Sequence, residues 1–484
     1  MQPTNVLFIM SDQQQGRALG CAGHDFVRTP NLDKLAARGT RFANAYTNSA
    51  ICVPARAVIA TGQHVFKTQY WCNAHPYEGA VKSWHHTLGE NGRPVTSIGK
   101  LHFRNEVDPT GFAEQVIPMH VVQGQGDLRS CIKRPMSPPM KSSRTVTNIG
   151  RGTSPYTDYD RDIAERSCAW LQRHAQQSAA QPFSLFVSFV CPHPPYIAPP
   201  EFYDLYPEAS MPEPKLCTPD APTHPWIQAM ERNRNYNDFV TPESRRVIAS
   251  SYHGCISYLD YNVGRVLDAL DAAGLRDSTL VVFTSDHGDN LGARRLYGKS
   301  NMYQEAAHIP MIVAGPDVAV GHVSNTAVTL LDVAPTVLDA AKLSDNASDQ
   351  ALPGASLVKL SQAPDDNARV AFCEYYAAAA ERAAFMVRKG QYKYIHYVGY
   401  TPELFDLDAD PEELGSLAER PEFATTVAEY ESILRGIVDP EAADDAAFQA
   451  QSNLVDANGG RDALIARGKY DGTPAPGEAV VFDH

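Results

Sequence analysis

The sequence has 484 residues, of which 43% are hydrophobic and 20% are charged, and this balance excludes a disordered chain, a collagen and a coiled coil. Its 56 acidic residues outnumber its 42 lysines and arginines, so the net charge is -14. Because an acidic surface repels phosphate backbones, we expect no nucleic-acid partner. An anionic substrate would need a local basic pocket against this overall negative field.

The sequence carries no sign of a membrane anchor or a secretory leader. Its early apolar stretch, residues 6–10, is far shorter than the roughly 18 residues that a membrane span needs, and no cationic segment precedes it. The cysteines are odd in number, nine, and form no Cys-x-x-Cys pair. Free, mostly buried thiols in a reducing compartment fit this pattern, so we expect a cytoplasmic protein without membrane contact.

The first predicted element is a strand at residues 5–10, a continuous apolar run of the kind that is buried on both faces of a parallel sheet. A helix follows, because Thr29 can cap its start, Pro30 suits its first turn and Gly39 lies just past its end. A second strand is predicted at residues 41–46.

Helices and buried strands alternate through the middle of the chain. We predict helices at 160–174, 244–273 and 329–343, and strands at 182–190, 278–284 and 310–314. This alternation predicts an α/β fold in which helices sandwich a large, mainly parallel sheet. Residues 197–240 are rich in proline, so we expect a long irregular excursion over the surface.

The sequence changes in character near residue 365. Short strands at hairpin spacing precede a helix there, at residues 370–375, 382–388, 391–398 and 422–434. The last residues are acidic, rich in alanine and glycine, and weakly patterned. We therefore predict a catalytic α/β domain at 1–365, a smaller α+β domain with a short antiparallel sheet at 366–436, and a tail at 437–484.

Two polar clusters directly follow predicted buried strands, at the edge where open α/β sheets place their ligands. They are Asp12-Gln13 and Asp286-His287. A third cluster, from Cys52 to Arg56, opens a predicted helix, and a helix N-terminus favours a thiolate and binds anions. Taken alone, Cys52 is better explained as a buried packing residue.

Seven segments in order resemble the sulfatase family, the formylglycine-dependent branch of the alkaline phosphatase superfamily. The resemblance extends to about residue 435 and implies an alkaline phosphatase-like fold. The matching segments are residues 5–13, 29–42 and 52–62, Gly99-Lys-Leu-His102, Pro192-His-Pro-Pro-Tyr196, Ser285-Asp-His-Gly-Asp289 with Lys299, and residues 404–413.

The sequence departs from the family pattern at two places. The usual serine at position 55 is alanine, but the modification reads Cys, Pro and Arg most strictly, so we expect Cys52 to become formylglycine. Many sulfatases have paired acids where this chain has Asp12-Gln13, and Asp-Asn where it has Asp286-His287. The Asp-His variant is similar to the choline-sulfatase and phosphonate monoester hydrolase subgroup.

The resemblance implies one divalent metal ion. Its expected ligands are an oxygen of the modified Cys52 and the side chains of Asp12, Gln13, Asp286 and His287. Carboxylate oxygens suit Ca²⁺, the ion that we expect, or Mg²⁺, and the imidazole adds Mn²⁺ and Zn²⁺ as candidates. Gln13 would either supply a carbonyl oxygen or orient the other ligands. Asp289 is expected to cap its loop rather than bind the ion.

The resemblance also implies catalytic roles. One hydroxyl of the hydrated formylglycine attacks sulfur, and the other then loses its proton and expels the sulfate. His102 is the expected base for that proton, while Lys100 and Arg56 hold the hydrate and neutralise charge. His193 and Lys299 would bind the ester oxygens, and one of them would protonate the leaving alcohol.

Asn73 aligns with a substrate-binding asparagine of the choline-sulfatase subgroup. Nearby aromatic and histidine side chains would line the leaving-group pocket or only pack: Tyr70, Trp71, His75, His85 and His86. Specificity for the organic part of the substrate is expected in residues 105–155 and 197–240, where the periodicity is weakest.

We therefore predict a sulfuric ester hydrolase that acts on a small-molecule sulfate ester after maturation by a formylglycine-generating enzyme. A phosphonate monoester or phosphodiester hydrolase with the same site is the alternative, because these esters share shape and charge with sulfate esters. Two other classes remain open: an unmodified relative that binds anions without turnover, and a metal-free cysteine hydrolase that pairs Cys52 with His102. The paired aspartates argue against the latter.

The chain ends in an apolar patch, Val480-Val481-Phe482, which is unusual for a free tail. Burying it requires either the body of the same chain or a neighbouring subunit. The choline-sulfatase subgroup uses C-terminal segments across subunits, so we predict a homodimer or homotetramer in which the tail reaches toward the partner's active-site mouth.

Overall fold

A computed structural model describes residues 4–139, 141, 143–176, 182–344, 351–470 and 472–482. Its strands are β1 (Asn5–Asp12), β2 (Thr40–Tyr46), β3 (Val95–Lys100), β4 (Glu114–Met119), β5 (Ile149–Arg151), β6 (Ser184–Pro192), β7 (Tyr196–Ala198), β8 (Thr279–Ser285), β9 (Met311–Ala314), β10 (His322–Thr329), β11 (Ala371–Tyr375), β12 (Ala384–Lys389), β13 (Tyr392–Tyr397) and β14 (Glu403–Asp406).

Its α-helices are α1 (Pro30–Ala37), α2 (Cys52–Thr61), α3 (Val65–Thr68), α4 (Trp84–Glu90), α5 (Arg144–Thr147), α6 (Pro155–Ala175), α7 (Pro200–Tyr203), α8 (Pro225–Arg234), α9 (Pro242–Ala272), α10 (Gln304–Ala307), α11 (Val333–Ala340), α12 (Leu357–Gln362), α13 (Ala424–Ile437), α14 (Pro440–Ala457) and α15 (Gly460–Arg467). Within the described ranges, none of them is both long enough and apolar enough to span a membrane.

The largest sheet has eight strands in the order β10-β2-β9-β8-β1-β6-β3-β4. Among these strands β9 runs antiparallel to β2 and β8, and the other neighbouring pairs are parallel. Strand β1 lies between β8 and β6, at the centre of the sheet. The sheet is therefore mainly parallel, which confirms the predicted fold class.

Helices cover both faces of this sheet. In β1, Val6 and Phe8 point into an apolar cluster shared with α2, α4 and α11. Leu7 and Ile9 point into a second cluster, shared with α6 and α9. Because apolar layers lie on both sides, all of β1 is buried, and its sequence is a continuous apolar run rather than an alternating one.

A second, antiparallel sheet forms near the C-terminus, with β11, β12, β13 and β14 in sequence order. Three of these strands were predicted, and β14 is additional. Helix α13 packs on this sheet close to its predicted position. The small C-terminal sheet is thus confirmed, while the division of the chain at residues 365 and 436 stays a prediction.

Some segments differ from the sequence-based expectation. Strands β3, β4 and β10 were not predicted, and the helix expected at 329–343 begins only at Val333, because residues 322–329 form β10. The irregular stretch at 197–240 contains α8, whose start is capped by the side chain of His224. The three additional strands widen the central sheet, and the fold class stays the same.

The weakly patterned tail expected at 437–484 is corrected by the structure. Helix α14 begins after Asp439, whose side chain accepts a hydrogen bond from the backbone N–H of Ala442, and α15 follows it. The residues after α15 return to the body of the same chain. Tyr156 donates a hydrogen bond of 2.5 Å to the carbonyl oxygen of Thr473.

Candidate active site

The carboxyl ends of four parallel strands bring the predicted polar clusters together. Strands β1 and β8 are in register up to Ser11 and Ser285, so Asp12 and Asp286 lie side by side. Strands β6 and β3 end at the same edge and deliver His193 and Lys100. Because one sheet edge collects residues that are far apart in sequence, the site is assembled by topology rather than by local sequence.

Cys52 is the first residue of α2 and is only 1% exposed. The side-chain oxygen of Asn73 accepts a hydrogen bond of 3.2 Å from the backbone N–H of Val53, which satisfies one of the free N–H groups at this helix start. The Cys52 Sγ lies 3.1 Å from His287 Nε2 and 3.7 Å from Asp12 Oδ1. The helix thus holds residue 52 directly over the two strand ends.

Four buried side chains in this site could hold a metal ion. One donor atom from each of Asp12, Cys52, Asp286 and His287 lies within 4.8 Å of the others. The Sγ of Cys52 occupies the place that an oxygen of a formylglycine would take. Two carboxylates, one imidazole and one such oxygen form a donor set that fits a divalent cation.

The imidazole of His287 is oriented for this role. Its Nδ1–H donates to the carbonyl oxygen of Gly288 over 3.1 Å, which leaves the Nε2 lone pair facing the cluster. Burial lowers the pKa of His287, so the ring is held neutral. Burial and the adjacent charge of Asp12 raise the pKa of Asp286 to about 6. A bound cation would relieve the repulsion between the two carboxylates.

Arg56 binds both carboxylates at once. Its Nη2 donates to Asp12 over 2.9 Å and its Nε donates to Asp286 over 3.1 Å. Its Nη1 donates to the carbonyl oxygen of Lys100 and to the hydroxyl of Ser188. Arg56 therefore fixes the two carboxylates and balances their charge. The sequence predicted this charge neutralisation, together with a contact to the hydrate.

Two lysines complete the cationic surroundings of the site. Lys100 Nζ lies 2.8 Å from Asp12 Oδ2. Burial opposes ionisation of Asp12, but the charges of Lys100 and Arg56 outweigh it and hold its pKa well below the usual value. Burial likewise opposes the charge on Lys299, but the negative groups around it raise its pKa. Lys299 therefore stays a cation at neutral pH.

Gln13 is held by its neighbours at both ends of its amide. Its Nε2 donates to Asp289 over 2.6 Å, and its Oε1 accepts from Lys299 Nζ over 2.5 Å. Asp289 also accepts from the Tyr196 hydroxyl and from the backbone N–H groups of Leu291 and Gly298. Asp289 thus has the capping role expected from sequence, and it also sets the orientation of Gln13.

His102 is buried, and neither of its ring nitrogens has a hydrogen-bond partner among the described residues. Burial and the charges of Lys100 and Arg56 lower its pKa well below the usual value. The ring lines the same cavity as Cys52. Because a buried imidazole without a partner is costly, this geometry fits a polar group at residue 52 or on a substrate.

His193 lies at the end of β6, between Pro192 and Pro194, and lines the same cavity. Its Nδ1–H donates to the carbonyl oxygen of Pro194 over 2.7 Å, which leaves Nε2 as the nitrogen that can exchange a proton with a ligand. Burial and the charge of Lys299 lower its pKa well below the usual value. Of the predicted catalytic residues, Cys52, His102, His193 and Lys299 line this cavity. Arg56 and Lys100 do not line it, and both contact Asp12.

Asn73 also lines this cavity, as expected for a residue that contacts substrate. The neighbouring aromatic and histidine residues do not. His85 stacks on Phe112 at a ring distance of 4.0 Å within the core, and His75 contacts the thiol of Cys72. For these residues, the packing role that the sequence left open is the one seen in the structure.

The cavity beside Cys52 has a volume of about 100 Å³. Several residues that line this cavity were not predicted from the sequence: Asp127, Arg234, Tyr236, Tyr297, Lys469 and Tyr470. Asp127, Arg234 and Tyr236 fall in the two segments where specificity was expected. Nothing in the local sequence near Lys469 marks it, because its position depends on how the end of the chain folds back.

Comparisons with known proteins agree with this site. A family model described as Sulfatase matches residues 4–343, and one described as N-sulphoglucosamine sulphohydrolase, C-terminal, matches residues 292–438. The chain belongs to the sulfatase family of sulfuric ester hydrolases.

Individual relatives lie in the same family. A choline-sulfatase of Rhizobium meliloti (strain 1021) is 34% identical over 86% of this chain and 83% of its own length. Arylsulfatase K of Danio rerio is 28% identical over 90% of this chain and 84% of its own length. The crystal structure of a phosphonate monoester hydrolase of Agrobacterium radiobacter has a TM-score of 0.71 and 22% identity, and covers 90% of this chain and 95% of that one. That last likeness establishes the shared alkaline phosphatase-like fold.

Proposed function

We propose that this chain hydrolyses a small-molecule sulfate ester, using a formylglycine made from Cys52 and one divalent metal ion bound by Asp12, Asp286 and His287. The observation that carries the proposal is the buried cluster of donor atoms within 4.8 Å of one another around residue 52. Gln13 is proposed to complete the site, either as a ligand or through its contact with Lys299.

The formylglycine and the divalent metal ion would supply the reactivity that the side chains lack. A formylglycine supplies an aldehyde hydrate whose hydroxyl is the nucleophile, and a divalent ion polarises oxygens and favours deprotonation at this position. The donor set fits Ca²⁺, which we propose as the ion, with Mn²⁺, Mg²⁺ and Zn²⁺ as the other candidates. Conversion of Cys52 would require a formylglycine-generating enzyme as a partner in maturation.

The chain's own residues would bind the ester and move its protons. Lys299 is a cation that lines the cavity and would hold sulfate oxygens together with His193. Lys100, which lies against Asp12, would hold the group at residue 52. His102, neutral and without a partner, would accept a proton from residue 52. His193 would exchange a proton with the leaving alcohol through Nε2, because Pro194 holds its Nδ1–H. Arg56 would keep both aspartates in place.

A phosphonate monoester or phosphodiester hydrolase remains the second candidate. It is favoured by the Asp286-His287 pair and by the fold shared with the phosphonate monoester hydrolase of Agrobacterium radiobacter. A singly charged phosphonate ester has the shape and charge of a sulfate ester, so His193 and Lys299 would bind either.

Substrate comparison tests this proposal. We expect kcat/KM for an aryl sulfate to exceed that for the matching aryl phosphonate, with both activities lost together after chelation. A higher kcat/KM for the phosphonate would make the second candidate the main function. Activity unchanged in protein shown to be metal-free would overturn the metal assignment for both.

We further propose a reducing compartment, the cytoplasm, because all nine cysteines are free thiols. We also propose a homodimer or homotetramer, although Lys469, Tyr470, Gly472 and Thr473 line the active-site cavity of their own chain. Light scattering at micromolar concentration tests this, and a monomeric mass would contradict it.

A further inference from the structure

The end of the chain forms one wall of the active-site cavity. We call residues 468–470 and 472–482 the closing segment. Thr473 accepts a hydrogen bond from Tyr156, and the carbonyl oxygen of Val481 accepts one of 3.0 Å from Arg144. The ring centroids of Tyr470 and Phe482 lie 5.9 Å apart. These contacts hold Lys469 beside the same cavity as Cys52.

The charged side chains on this side of the cavity are mostly cationic. Beyond the proposed catalytic residues, Arg234 and Lys469 line the cavity with one acid, Asp127. An adjoining recess shares these three residues and adds Arg129. Among the residues that the structure describes, three cations therefore face one carboxylate in a chain whose net charge is -14, so this recess is locally basic against the overall field.

The opposite charges of Lys469 and Asp127 do not form an ion pair with each other. Asp127 accepts a hydrogen bond of 3.3 Å from the backbone N–H of Ser130, where it caps a short helical turn. Lys469 makes no ion pair or hydrogen bond with any residue that the structure describes. A lysine that lies at a cavity wall and has no counter-charge among the described residues is suited to pair with an anionic ligand.

We propose that the substrate of this site carries a second anionic group, a carboxylate, on its organic part, and that Lys469 together with Arg234 binds it. This rests on the proposed function, because the sulfate ester is taken to occupy the catalytic end of the same cavity. Lys469 is then a specificity-determining residue supplied by the closing segment. A cationic organic part such as choline would instead bring its charge against Arg234 and Lys469, which disfavours it.

Two sulfate esters that differ by one methyl group test the role of charge: 4-sulfooxybenzoate and its methyl ester, which is neutral at the carboxyl end. We expect Lys469→Met to lower kcat/KM for 4-sulfooxybenzoate about tenfold and to change that for the methyl ester by less than about twofold. The two esters differ in leaving-group reactivity. For each ester we therefore compare the variant with the wild-type enzyme, so that this difference does not enter the ratio. Lys469→Arg should keep most of the preference, and added salt should weaken it.

Lys34→Met is the matched control, because Lys34 is exposed on α1, away from the cavity, and its loss changes the net charge equally. It should leave both rates unchanged. Equal losses for the two esters in Lys469→Met would indicate a merely structural role and overturn the proposal. No change for either ester, or a wild-type preference for choline sulfate over both, would overturn it as well.

Binding to a Cys52→Ala variant, measured by calorimetry, keeps this test separate from the proposed function. We expect 4-sulfooxybenzoate to bind about tenfold more tightly than its methyl ester, and the difference to vanish when Lys469→Met is added. If this binding preference holds but wild-type protein cleaves neither ester, the proposed hydrolysis fails and the charge preference stands. If both esters are cleaved and bound without preference, only the present inference fails.

Discussion

Asp289 fixes the orientation of the Gln13 side chain, because it accepts the amide Nε2–H of Gln13 over 2.6 Å and so turns Oε1 toward Lys299. Asp289 itself is held by the hydroxyl of Tyr196 and by two backbone N–H groups. A chain of hydrogen bonds therefore runs from β7 through Asp289 and Gln13 to Lys299. It positions a cation that is proposed to bind the ester oxygens.

We expect Gln13→Ala to lower kcat/KM about tenfold while the metal content stays near that of the wild type, because Lys299 loses its hydrogen-bond partner but the carboxylates remain. Asp289→Asn should show the same pattern. Metal analysis of purified protein together with kinetics checks both variants. Loss of metal in Gln13→Ala as complete as in Asp286→Asn would instead make Gln13 a direct ligand.

Asp286→Asn should lose metal and activity together. The substitution removes one of two buried carboxylates from the donor cluster and leaves the fold of β8 unchanged, because the amide has nearly the same shape. Asp277→Asn is the matched control, since Asp277 is exposed in the turn before β8. Full activity in Asp286→Asn protein, or in chelated wild-type protein, would contradict the metal assignment.

The stability of the C-terminal region should depend on Glu431. This carboxylate accepts hydrogen bonds from His396, Tyr394 and Arg435, and these contacts, led by His396, lower its pKa to about 2. A carboxyl whose pKa is depressed by folding contributes stability above its unfolded pKa and loses it as the pH falls. The contribution should therefore fade from about pH 5 toward pH 2.

We expect Glu431→Gln to reduce the free energy of unfolding at pH 7 by about 1–2 kcal/mol, a value that allows for solvent screening of a partly exposed group. The difference from wild type should shrink as urea titrations are repeated at lower pH. Glu429→Gln, on the same helix but paired at the surface with Lys389, should cost less. A difference that grows toward acid pH would reverse the assigned sign.

The sequence could predict the core of the site because its residues sit at strand ends. Asp12 and Asp286 each follow a continuous apolar run, and parallel strands share one carboxyl edge, so their proximity follows from fold class alone. The position of Cys52 at the start of α2 was likewise readable from the proline two residues later.

The other residues that line the cavity could not be predicted in the same way. Lys469 reaches the cavity only because α14 and α15 carry the chain back, and long-range packing of this kind leaves no local pattern. Helix α14 does have a local start signal, Asp439 followed by Pro440, although the surrounding region is rich in alanine and weakly patterned. The orientation of Gln13 depends on Asp289, which lies 276 residues away.

Replacing the proposed nucleophile should separate chemistry from folding. Cys52→Ala removes one small buried side chain, so we expect a folded protein with a nearly unchanged thermal midpoint and a rate at least about a thousandfold lower. Cys52→Ser, which keeps a hydroxyl in place of the thiol, tests whether a plain hydroxyl can replace the hydrate. Wild-type rates in Cys52→Ala protein would contradict nucleophilic catalysis at this position.

The most direct test of the account is the mass of the peptide that contains residue 52, measured on active protein made together with a formylglycine-generating enzyme. We predict that activity rises in proportion to the fraction of this peptide that carries an aldehyde, and that an aldehyde-trapping reagent labels it. Full activity in protein whose residue 52 is entirely an unmodified thiol would contradict the central claim.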